Sequence, residues 1–243
     1  MIRGGFSAYL SETSVSIVGV GGAGSHAAVN LARMGVASLD LFDSDVVEES
    51  NLSRQCFAMG DLGVSKSFAA ANYIKSFSPE VRVATHQYRV HSVIDFEKPF
   101  RISDIVVVTA DSPGEVKAWA NHVALRMNKP WVHGGYQGPE VMVGIHDPRA
   151  TDGGCYECLR RHQRLLRGDM PVTQWREGVE APRGNAANAV TTAMAGAMIA
   201  HSVGVVTAGV PAWRVNAEYW YNLLTGTADR LEVEDGAVCD HVR

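Results

Sequence analysis

A short glycine-rich stretch between an apolar run and a helical pattern most constrains the fold of this chain. Positions 14–25 read Ser-Val-Ser-Ile-Val-Gly-Val-Gly-Gly-Ala-Gly-Ser, and positions 25–34 carry apolar residues at helical spacing. This order predicts a strand, a tight turn and a helix. Such a turn needs glycine where φ is unusual or a phosphate approaches the backbone, and the amides that begin the helix attract anions. The glycines concerned are Gly19, Gly21, Gly22 and Gly24.

A second apolar run supports a nucleotide site at this turn. Ser38 to Phe42 has the pattern of a strand, and it ends at Asp43, which lies 24 positions after Gly19. In βαβ nucleotide sites an acid about 20 residues beyond the glycine motif binds a ribose hydroxyl. We therefore interpret the turn as a nucleotide-binding loop and Asp43 as a ribose ligand.

Helical and strand patterns alternate through the first 150 residues. The strand patterns cover 81–85, 105–109, 131–134 and 141–146, and the helical ones cover 65–77 and 113–128. This alternation predicts an α/β fold, namely a Rossmann-like, doubly wound and mostly parallel sheet with helices on both faces. Ligands bind at the carboxyl ends of the strands in such sheets, where Gly24, Asp43 and Asp111 fall.

The length of 243 residues predicts a single domain with three parts. We expect an N-terminal arm at 1–13, a nucleotide-binding half at 14–150, and a C-terminal part at 151–243. The C-terminal part is expected to hold a mobile loop at 169–184, an apolar helix within 186–209, two strands near 213–219 and 230–233, and a cysteine-containing tail.

Composition and charge limit which binding partners and which cellular location we expect. The net charge is −4 and the basic residues are scattered, apart from a short run at 160–167, so nucleic-acid binding is not expected. Residues 1–12 lack the pattern of a signal peptide and no lipidation motif is present, which predicts a cytoplasmic protein. Polar residues such as Asn188 and His201 dilute the apolar segment 186–209, so we expect a core or dimer-interface helix rather than a membrane span.

Several polar residues after the predicted strands match the requirements of ATP-dependent adenylation. Attack of a carboxylate on the α-phosphate needs cations for the phosphates and a carboxylate for the metal ion, but no general base, because the nucleophile is already ionised. Arg54 and Lys66 would supply the cations and Asp111 would bind Mg²⁺, with Asn51 and Gln55 as positioning groups.

The ordered motifs resemble the ThiF/MoeB/HesA family, the bacterial relatives of ubiquitin-activating enzymes. The motifs are Gly-Val-Gly-Gly-Ala-Gly-Ser, Asp43-x-Asp45, Asn51-x-x-Arg54-Gln55, Lys66, Thr-Ala-Asp111 and Cys155-x-x-Cys158. The resemblance implies ATP-dependent adenylation of the C-terminal carboxylate of a sulfur-carrier or ubiquitin-like protein, or of a peptide, within a homodimer. It implies that Asp43 holds the ribose, Arg54 and Lys66 the triphosphate, and Asp111 the Mg²⁺.

An arginine from the partner subunit's N-terminal segment reaches the phosphates in such enzymes. Arg3 is the candidate here, although the usual Arg-Tyr-x-Arg-Gln sequence is missing.

The cysteines suggest a structural zinc site. Cys155 and Cys158 are two residues apart, and Cys239 lies far downstream, a spacing that suits a zinc ion joining distant parts of the chain. The family pattern closes with a second Cys-x-x-Cys, whereas this chain has Cys239-Asp-His241. The site therefore either binds zinc through three cysteines and His241 or has lost its metal.

Other readings of the sequence remain open. Segment 169–184 contains no cysteine, and Cys56 is expected to be a structural thiol, so we predict adenylation without a thioester on this chain. His26 and His133 are expected to serve packing or hydrogen bonding. An NAD(P)-dependent oxidoreductase would explain the glycine turn and Asp43 but not Arg54, Lys66 or the cysteines. A non-catalytic nucleotide-binding pseudoenzyme is a third reading, and a tRNA-modifying dehydratase fits the acidic charge and the cysteine pair poorly.

Overall fold

One eight-stranded sheet organises the molecule. The computed structural model describes residues 6–150, 153–167, 187–210, 214–233, 239 and 241. The strand order is β3-β2-β1-β4-β5-β6-β7-β8. The strands are β1 (Ser14–Val18), β2 (Ser38–Phe42), β3 (Arg82–His86), β4 (Ile105–Val108), β5 (Trp131–Gln137), β6 (Glu140–His146), β7 (Ala217–Asn222) and β8 (Thr227–Glu232). The helices are α1 (Ser7–Leu10), α2 (Gly22–Met34), α3 (Lys66–Phe77), α4 (Glu97–Ile102), α5 (Val116–Met127), α6 (Tyr156–Arg167) and α7 (Ala189–Ala208).

The first five strands form the predicted parallel sheet. Parallel pairing joins β3 to β2, β2 to β1, β1 to β4 and β4 to β5. Because β1 lies between β2 and β4, the strand order reverses there, and the glycine turn that follows β1 opens at this reversal. The sequence-based prediction of a Rossmann-like, doubly wound and mostly parallel sheet is confirmed.

Two hydrophobic cores lie on the two faces of the sheet, and successive residues of a strand point into one core and then the other. Ile17, Leu41 and Val107 belong to the core that includes α2 and α7. Their chain neighbours Phe42 and Val106 point the other way, into the core formed with α4 and α5. Both faces are therefore covered by helices, as strands with continuous apolar runs require.

Beyond β5 the chain abandons the parallel pattern. Gln137 pairs with Glu140, so β5 and β6 form a hairpin whose loop contains Gly138 with φ of 57°. β6, β7 and β8 continue as antiparallel neighbours. The two final strands that the sequence predicts are present, at Ala217–Asn222 and Thr227–Glu232.

The apolar segment forms a core helix. α7 begins after Asn188, whose side chain accepts hydrogen bonds from the backbone amides of Val190 and Thr191, and it is followed by Gly209 with φ of 61°. By length and composition alone this helix could cross a membrane, but Ala195, Ile199 and Val203 are buried in the core. Packing against α2 and β5 therefore accounts for its apolar character. The sequence left open whether a helix or a loop holds the basic run at 160–167, and the structure forms a helix there, α6.

Candidate nucleotide site

Two glycines permit the tight packing between the turn after β1 and its neighbours. Gly19 has φ of 94°, and a Cβ there would lie 2.6 Å from the amide nitrogen of Ala110, just after β4. A Cβ on Gly24 would overlap the carbonyl oxygen of Gly19 and lie 2.6 Å from Thr109 Oγ1. Any larger side chain at either position would push α2 away from β1 and β4.

The other two glycines open space around the start of α2. Gly21 lines the cavity, and a Cβ on it would have only Gln55 Nε2, at 4.0 Å, as a neighbour among the described residues. Gly22 leaves room for the hydroxyl of Tyr136 and the methyl of Thr192. Gly21, the N-cap residue of α2, has no side chain to cap the helix, so within the described residues its leading amides are available to an anion.

A cavity of about 530 Å³ lies along the carboxyl edge of β1, β2 and β4. Among the residues that the sequence predicts for the site, the cavity is lined by Gly19, Gly21, Asp43, Asp45, Lys66 and Asp111. The sequence reading missed Tyr88, Arg89, His91 and Trp119, which also line it. Arg89 and Trp119 follow no recognisable motif, so only the folded arrangement reveals them.

Asp43 ties the end of β2 to the glycine turn. Its carboxylate accepts hydrogen bonds from the backbone amides of Val20, at 2.6 Å, and Asp45, at 2.8 Å. Burial raises the pKa of this carboxyl group, although the two backbone bonds act in the opposite direction. Asp43 therefore shapes the turn as well as facing the cavity, and each oxygen retains a lone pair for a ligand hydroxyl.

Asp45 holds Lys66 at the cavity wall. Lys66 Nζ lies 3.0 Å from Asp45 Oδ2, and Arg89 Nη2 lies 3.4 Å from Asp45 Oδ1. The hydrogen bond from Lys66 lowers the pKa of Asp45, and the charges of Lys66 and Arg89 add to this effect. The lysine side chain is 10% exposed, so the ion pair fixes a largely desolvated cation beside the cavity.

Asp111 stands at the rim of the cavity just after β4. Its side chain is 78% exposed, and its closest charged neighbour among the described residues is Lys117, with Nζ 3.9 Å from Oδ1. A carboxylate in this setting is free to turn toward a cation in the cavity. Such hard oxygen ligands suit Mg²⁺, which keeps most of its water shell when bound.

Arg54, Asn51 and Gln55 lie beside the glycine turn but do not line the cavity. Asn51 is buried, and its Oδ1 accepts the backbone amide of Glu48, so it stabilises the short 3-10 helix Glu49–Asn51. Arg54 Nη1 donates to the carbonyl of Ser50 at 2.5 Å. A further hydrogen bond from Arg54 acts on Tyr136, whose pKa burial raises. Arg54 and Gln55 therefore border the turn on the side of Gly21 and Tyr136.

Tyr136 is a neighbour of the site that the sequence reading missed. It follows the apolar run 131–134 at the carboxyl end of β5, the same edge of the sheet that holds Asp43 and Asp111. The charges of Arg54 and Asp111 both act on its hydroxyl. Its place after a buried parallel strand was the signal that could have identified it.

Cys56 is a half-buried thiol. Its Sγ lies 3.2 Å from His26 Nδ1, and His26 Nε2 lies 3.2 Å from the carbonyl oxygen of Arg54. Burial raises the pKa of Cys56 and lowers that of His26, so both groups are uncharged near neutral pH. This environment is that of a structural cysteine rather than of an activated nucleophile.

The three predicted cysteines and His241 meet at one point. Cys155 Sγ is 3.9 Å from Cys158 Sγ, and the Nδ1 atom of His241 lies 3.7, 3.4 and 3.9 Å from the sulfurs of Cys155, Cys158 and Cys239. A tetrahedral zinc ion with Zn–S bonds of about 2.3 Å separates its ligands by about 3.8 Å. The four side chains therefore fit a Cys₃His zinc centre without rearrangement.

Two predicted features lie outside the described residues. Arg3, the candidate to act on the partner subunit, and segment 169–184, the predicted mobile loop, both belong to the undescribed parts of the chain.

The chain has clear relatives among known proteins. Ubiquitin-like modifier-activating enzyme 5 from Drosophila virilis is 34% identical over 160 residues, which cover 61% of this chain and 40% of that enzyme. The same enzyme from Dictyostelium discoideum is 32% identical over 161 residues, covering 62% and 42%. This chain therefore aligns with less than half the length of these curated relatives.

Solved structures share the fold over nearly the whole chain. E. coli MccB with ATP superposes with a TM-score of 0.81 at 24% identity, covering 98% of this chain and 69% of that one. PaaA superposes with a TM-score of 0.74 at 21% identity, covering 93% and 66%. A family model described as the ThiF family matches residues 3–237. With its glycine turn, acidic strand ends and cysteine cluster in the expected order, this chain belongs to the ThiF family.

Proposed function

We propose that this protein uses ATP to adenylate the C-terminal carboxylate of a small carrier protein or peptide, releasing pyrophosphate. The observation that carries the proposal is the cavity at the reversal of strand order. It combines a glycine turn, uncapped helix amides, a buried cation at Lys66 and an exposed carboxylate at Asp111. These groups suit a triphosphate and its metal ion better than a neutral ligand.

Each polar group has a proposed role toward ATP. Asp43 would accept a ribose hydroxyl through the free lone pairs of its carboxylate. Lys66 and Arg54 would neutralise the phosphates, with Asp45 orienting Lys66 and with Asn51 and Gln55 shaping the backbone around Arg54. Asp111 would hold Mg²⁺, which would offset the charge that develops as pyrophosphate leaves. Gly19, Gly21, Gly22 and Gly24 would form the phosphate loop.

The acyl substrate is proposed from the relatives. The curated relatives are activating enzymes for a ubiquitin-like modifier, and MccB has been solved in complex with N-formylated MccA. Both suggest a partner with a free C-terminal carboxylate, which is already ionised near pH 7 and needs no general base to attack the α-phosphate. The product would be an acyl-AMP.

We propose that the activated acyl group is not transferred to a cysteine of the described chain. Cys56 lies near Arg54, but burial raises its pKa and His26 beside it is neutral. A thiol in this state is a poor nucleophile. The acyl-AMP would therefore be the form passed to the next acceptor.

The cysteine cluster is proposed to hold a structural Zn²⁺. Zinc would join α6, which carries Cys158, to the end of the chain at Cys239 and His241. Mutation of Cys155 and Cys158 to serine should release one zinc per chain and lower the melting temperature, whereas Cys56→Ser should do neither. Retention of zinc in the double variant would contradict this assignment.

The assembly and location also remain proposals. We propose a cytoplasmic homodimer in which Arg3 of one subunit reaches the phosphates bound by the other. If so, Arg3→Ala should slow adenylation, and mixing it with an Asp111→Ala variant should restore activity through hybrid dimers. Unchanged activity of Arg3→Ala would exclude the arrangement.

ATP–pyrophosphate exchange, measured with candidate carrier proteins and peptides, tests the proposed function. Exchange that depends on a free C-terminus, and that Arg54→Ala or Asp111→Ala abolishes, supports adenylation. ATP binding without exchange for any carrier would indicate a non-catalytic nucleotide-binding protein. Tight NADH binding without ATP binding would indicate the oxidoreductase.

A further inference from the structure

A second group of metal-binding side chains lies in the antiparallel part of the sheet. His133 is on β5, His146 on β6 and Glu218 on β7. In the strand register Gly144 of β6 lies directly between His133 and Glu218. His146 is two residues beyond Gly144 and therefore points to the same face of the sheet.

Gly144 is what allows the three side chains to meet. A Cβ at this position would overlap His133 Nε2, so any other residue would push the imidazole away from Glu218. His133 Nε2 lies 3.2 Å from His146 Nε2 and 3.2 Å from Glu218 Oε1. The two imidazole planes differ by 6°, and the three ligand atoms all lie within 4.8 Å of one another.

The cluster is fully enclosed. His133 and Glu218 are 0% exposed and His146 is 2% exposed. Trp131 stacks on both imidazoles, with ring centroids 5.1 Å and 4.7 Å away, and Tyr156 packs edge-on against them. Packing against these two aromatic rings therefore fixes the positions of the two imidazoles.

Hydrogen bonds within the described residues leave the facing atoms of His133, His146 and Glu218 incompletely satisfied. A neutral imidazole has one N–H, and His133 Nε2 faces both His146 Nε2 and Glu218 Oε1. Glu218 Oε1 has no hydrogen-bond partner of acceptable geometry in the part of the chain that the structure describes, and the contact between the two Nε2 atoms is a hydrogen bond only when one of them carries the proton. Buried polar atoms of this kind cost stability unless another group engages them.

A divalent metal ion would engage the facing lone pairs together. With metal–ligand bonds of about 2.1 Å, two ligand atoms 3.2 Å apart subtend an angle of about 100° at the metal. This angle lies between the values for tetrahedral and octahedral coordination. The ion would bind both imidazoles through Nε2, the atom that each ring turns toward the other.

Glu218 completes the donor set as a carboxylate. Arg160 of α6 pairs with the other oxygen, Oε2, which leaves Oε1 facing the histidines. Arg160 also offsets the charge of the carboxylate, so the two imidazoles dominate binding. Such a site selects Zn²⁺ and similar transition metals over Mg²⁺ or Ca²⁺, which depend on oxygen ligands.

We propose that His133, His146 and Glu218 bind one divalent transition metal ion, at a site separate from the cysteine cluster. The ion would join β5, β6 and β7, and through Arg160 would link them to α6. A cavity of about 70 Å³ lined by Trp131, His146 and Cys155 provides space beside the site for water.

Metal counting on the full-length protein tests the proposal. Apoprotein is dialysed against Zn²⁺ in the presence of excess Mg²⁺, and bound zinc is measured by atomic emission. We expect two zinc ions per chain in the wild type, one in His146→Gln, and one in the Cys155→Ser/Cys158→Ser double variant. His122→Gln, which changes an exposed histidine on α5, is the matched control and should retain two.

Cobalt substitution identifies which site is lost. The thiolate-to-cobalt charge-transfer band arises only from the cysteine cluster, so His146→Gln should keep it while losing one metal ion, and the double cysteine variant should lose it while keeping one. Circular dichroism verifies that each variant is folded, and Glu218→Gln replaces His146→Gln if the latter does not fold. One ion per wild-type chain, lost completely from the double cysteine variant, would overturn the proposal and leave a metal-free buried cluster.

Discussion

The two halves of the sheet use charged side chains in opposite ways. At the carboxyl edge of the parallel strands, Lys66, Asp45 and Asp111 border an open cavity of about 530 Å³. In the antiparallel strands, His133 and Glu218 are closed off from water, and Arg160 covers the remaining carboxylate oxygen. The charged side chains of the parallel half face a cavity that a ligand can enter, whereas those of the antiparallel half contact one another inside the protein.

This difference has energetic consequences. Ion pairs near water contribute about 0–1 kcal/mol to stability, so the fold should tolerate the loss of the pairs that the half-exposed Asp45 makes. Removal of one partner from a buried pair costs about 3–5 kcal/mol, so the residues around Glu218 are bound into the core. Substitutions in the open region should therefore alter ligand binding, and those in the closed region should alter stability.

Substitution of Trp131 and of Trp119 should give the largest difference in stability between the two halves. Trp131 is fully buried and stacks on His133 and His146, so Trp131→Ala should lower the free energy of unfolding by about 3–5 kcal/mol. Trp119 is partly exposed and lines the nucleotide cavity, so Trp119→Ala should cost less stability and weaken ATP binding. Urea denaturation and ATP titration measure the two effects. Equal losses of stability in the two variants would contradict the division between a closed and an open region.

Lys66 tests the open region directly. Lys66→Ala should slow ATP–pyrophosphate exchange by about 10²–10³-fold, the effect expected when a fixed group that stabilises developing charge is removed. Because its partner Asp45 is half exposed, the melting temperature should change little. Lys75→Ala, on an exposed position of the same helix, is the control. Exchange that is as fast in Lys66→Ala as in Lys75→Ala would remove Lys66 from the proposed site.

The parallel half was predictable because local patterns determine it. Continuous apolar runs such as 105–109 belong to strands covered on both faces, and a glycine turn followed by a helical pattern has one common arrangement. The residues at the ends of these strands, Asp43 and Asp111, could therefore be assigned to one edge from the sequence alone.

The antiparallel half was less predictable because its key contacts depend on register. His133 and Glu218 are 85 positions apart and meet only because Gly144 lies between them in the sheet. The sequence reading expected His133 to serve in packing, and nothing around it in the chain indicates Glu218. The basic run of α6 could equally have been a helix or a loop, because the buried partner of Arg160, Glu218, lies far away in the chain.

The glycine turn contains a smaller contrast within the open region. Gly24→Ala should lower the free energy of unfolding by about 1–3 kcal/mol, because the new Cβ would overlap the backbone of Gly19. Gly21→Ala should leave stability nearly unchanged, since its Cβ would meet only Gln55 Nε2 at 4.0 Å, but it should weaken ATP binding by occupying the cavity. Thermal unfolding and ATP titration separate the two effects. ATP affinity unchanged in Gly21→Ala would show that phosphates do not approach this turn.

The smallest effect is the pH dependence of Asp45. Its hydrogen bond with Lys66 holds the pKa of Asp45 below the unfolded value of about 3.9, so ionised Asp45 stabilises the fold above pH 4. This contribution is lost as the pH falls through the pKa of the folded state. Asp45 is half exposed, so the free energy of unfolding of the wild type should exceed that of Asp45→Asn by about 0.5 kcal/mol at pH 6, and this difference should shrink as the pH falls below 4. Urea denaturation across this range measures it, with Asp229→Asn on β8 as the exposed control. If the difference in the free energy of unfolding stays constant with pH, Asp45 acts through its shape and not through its charge. The two halves of the sheet would then differ in burial alone.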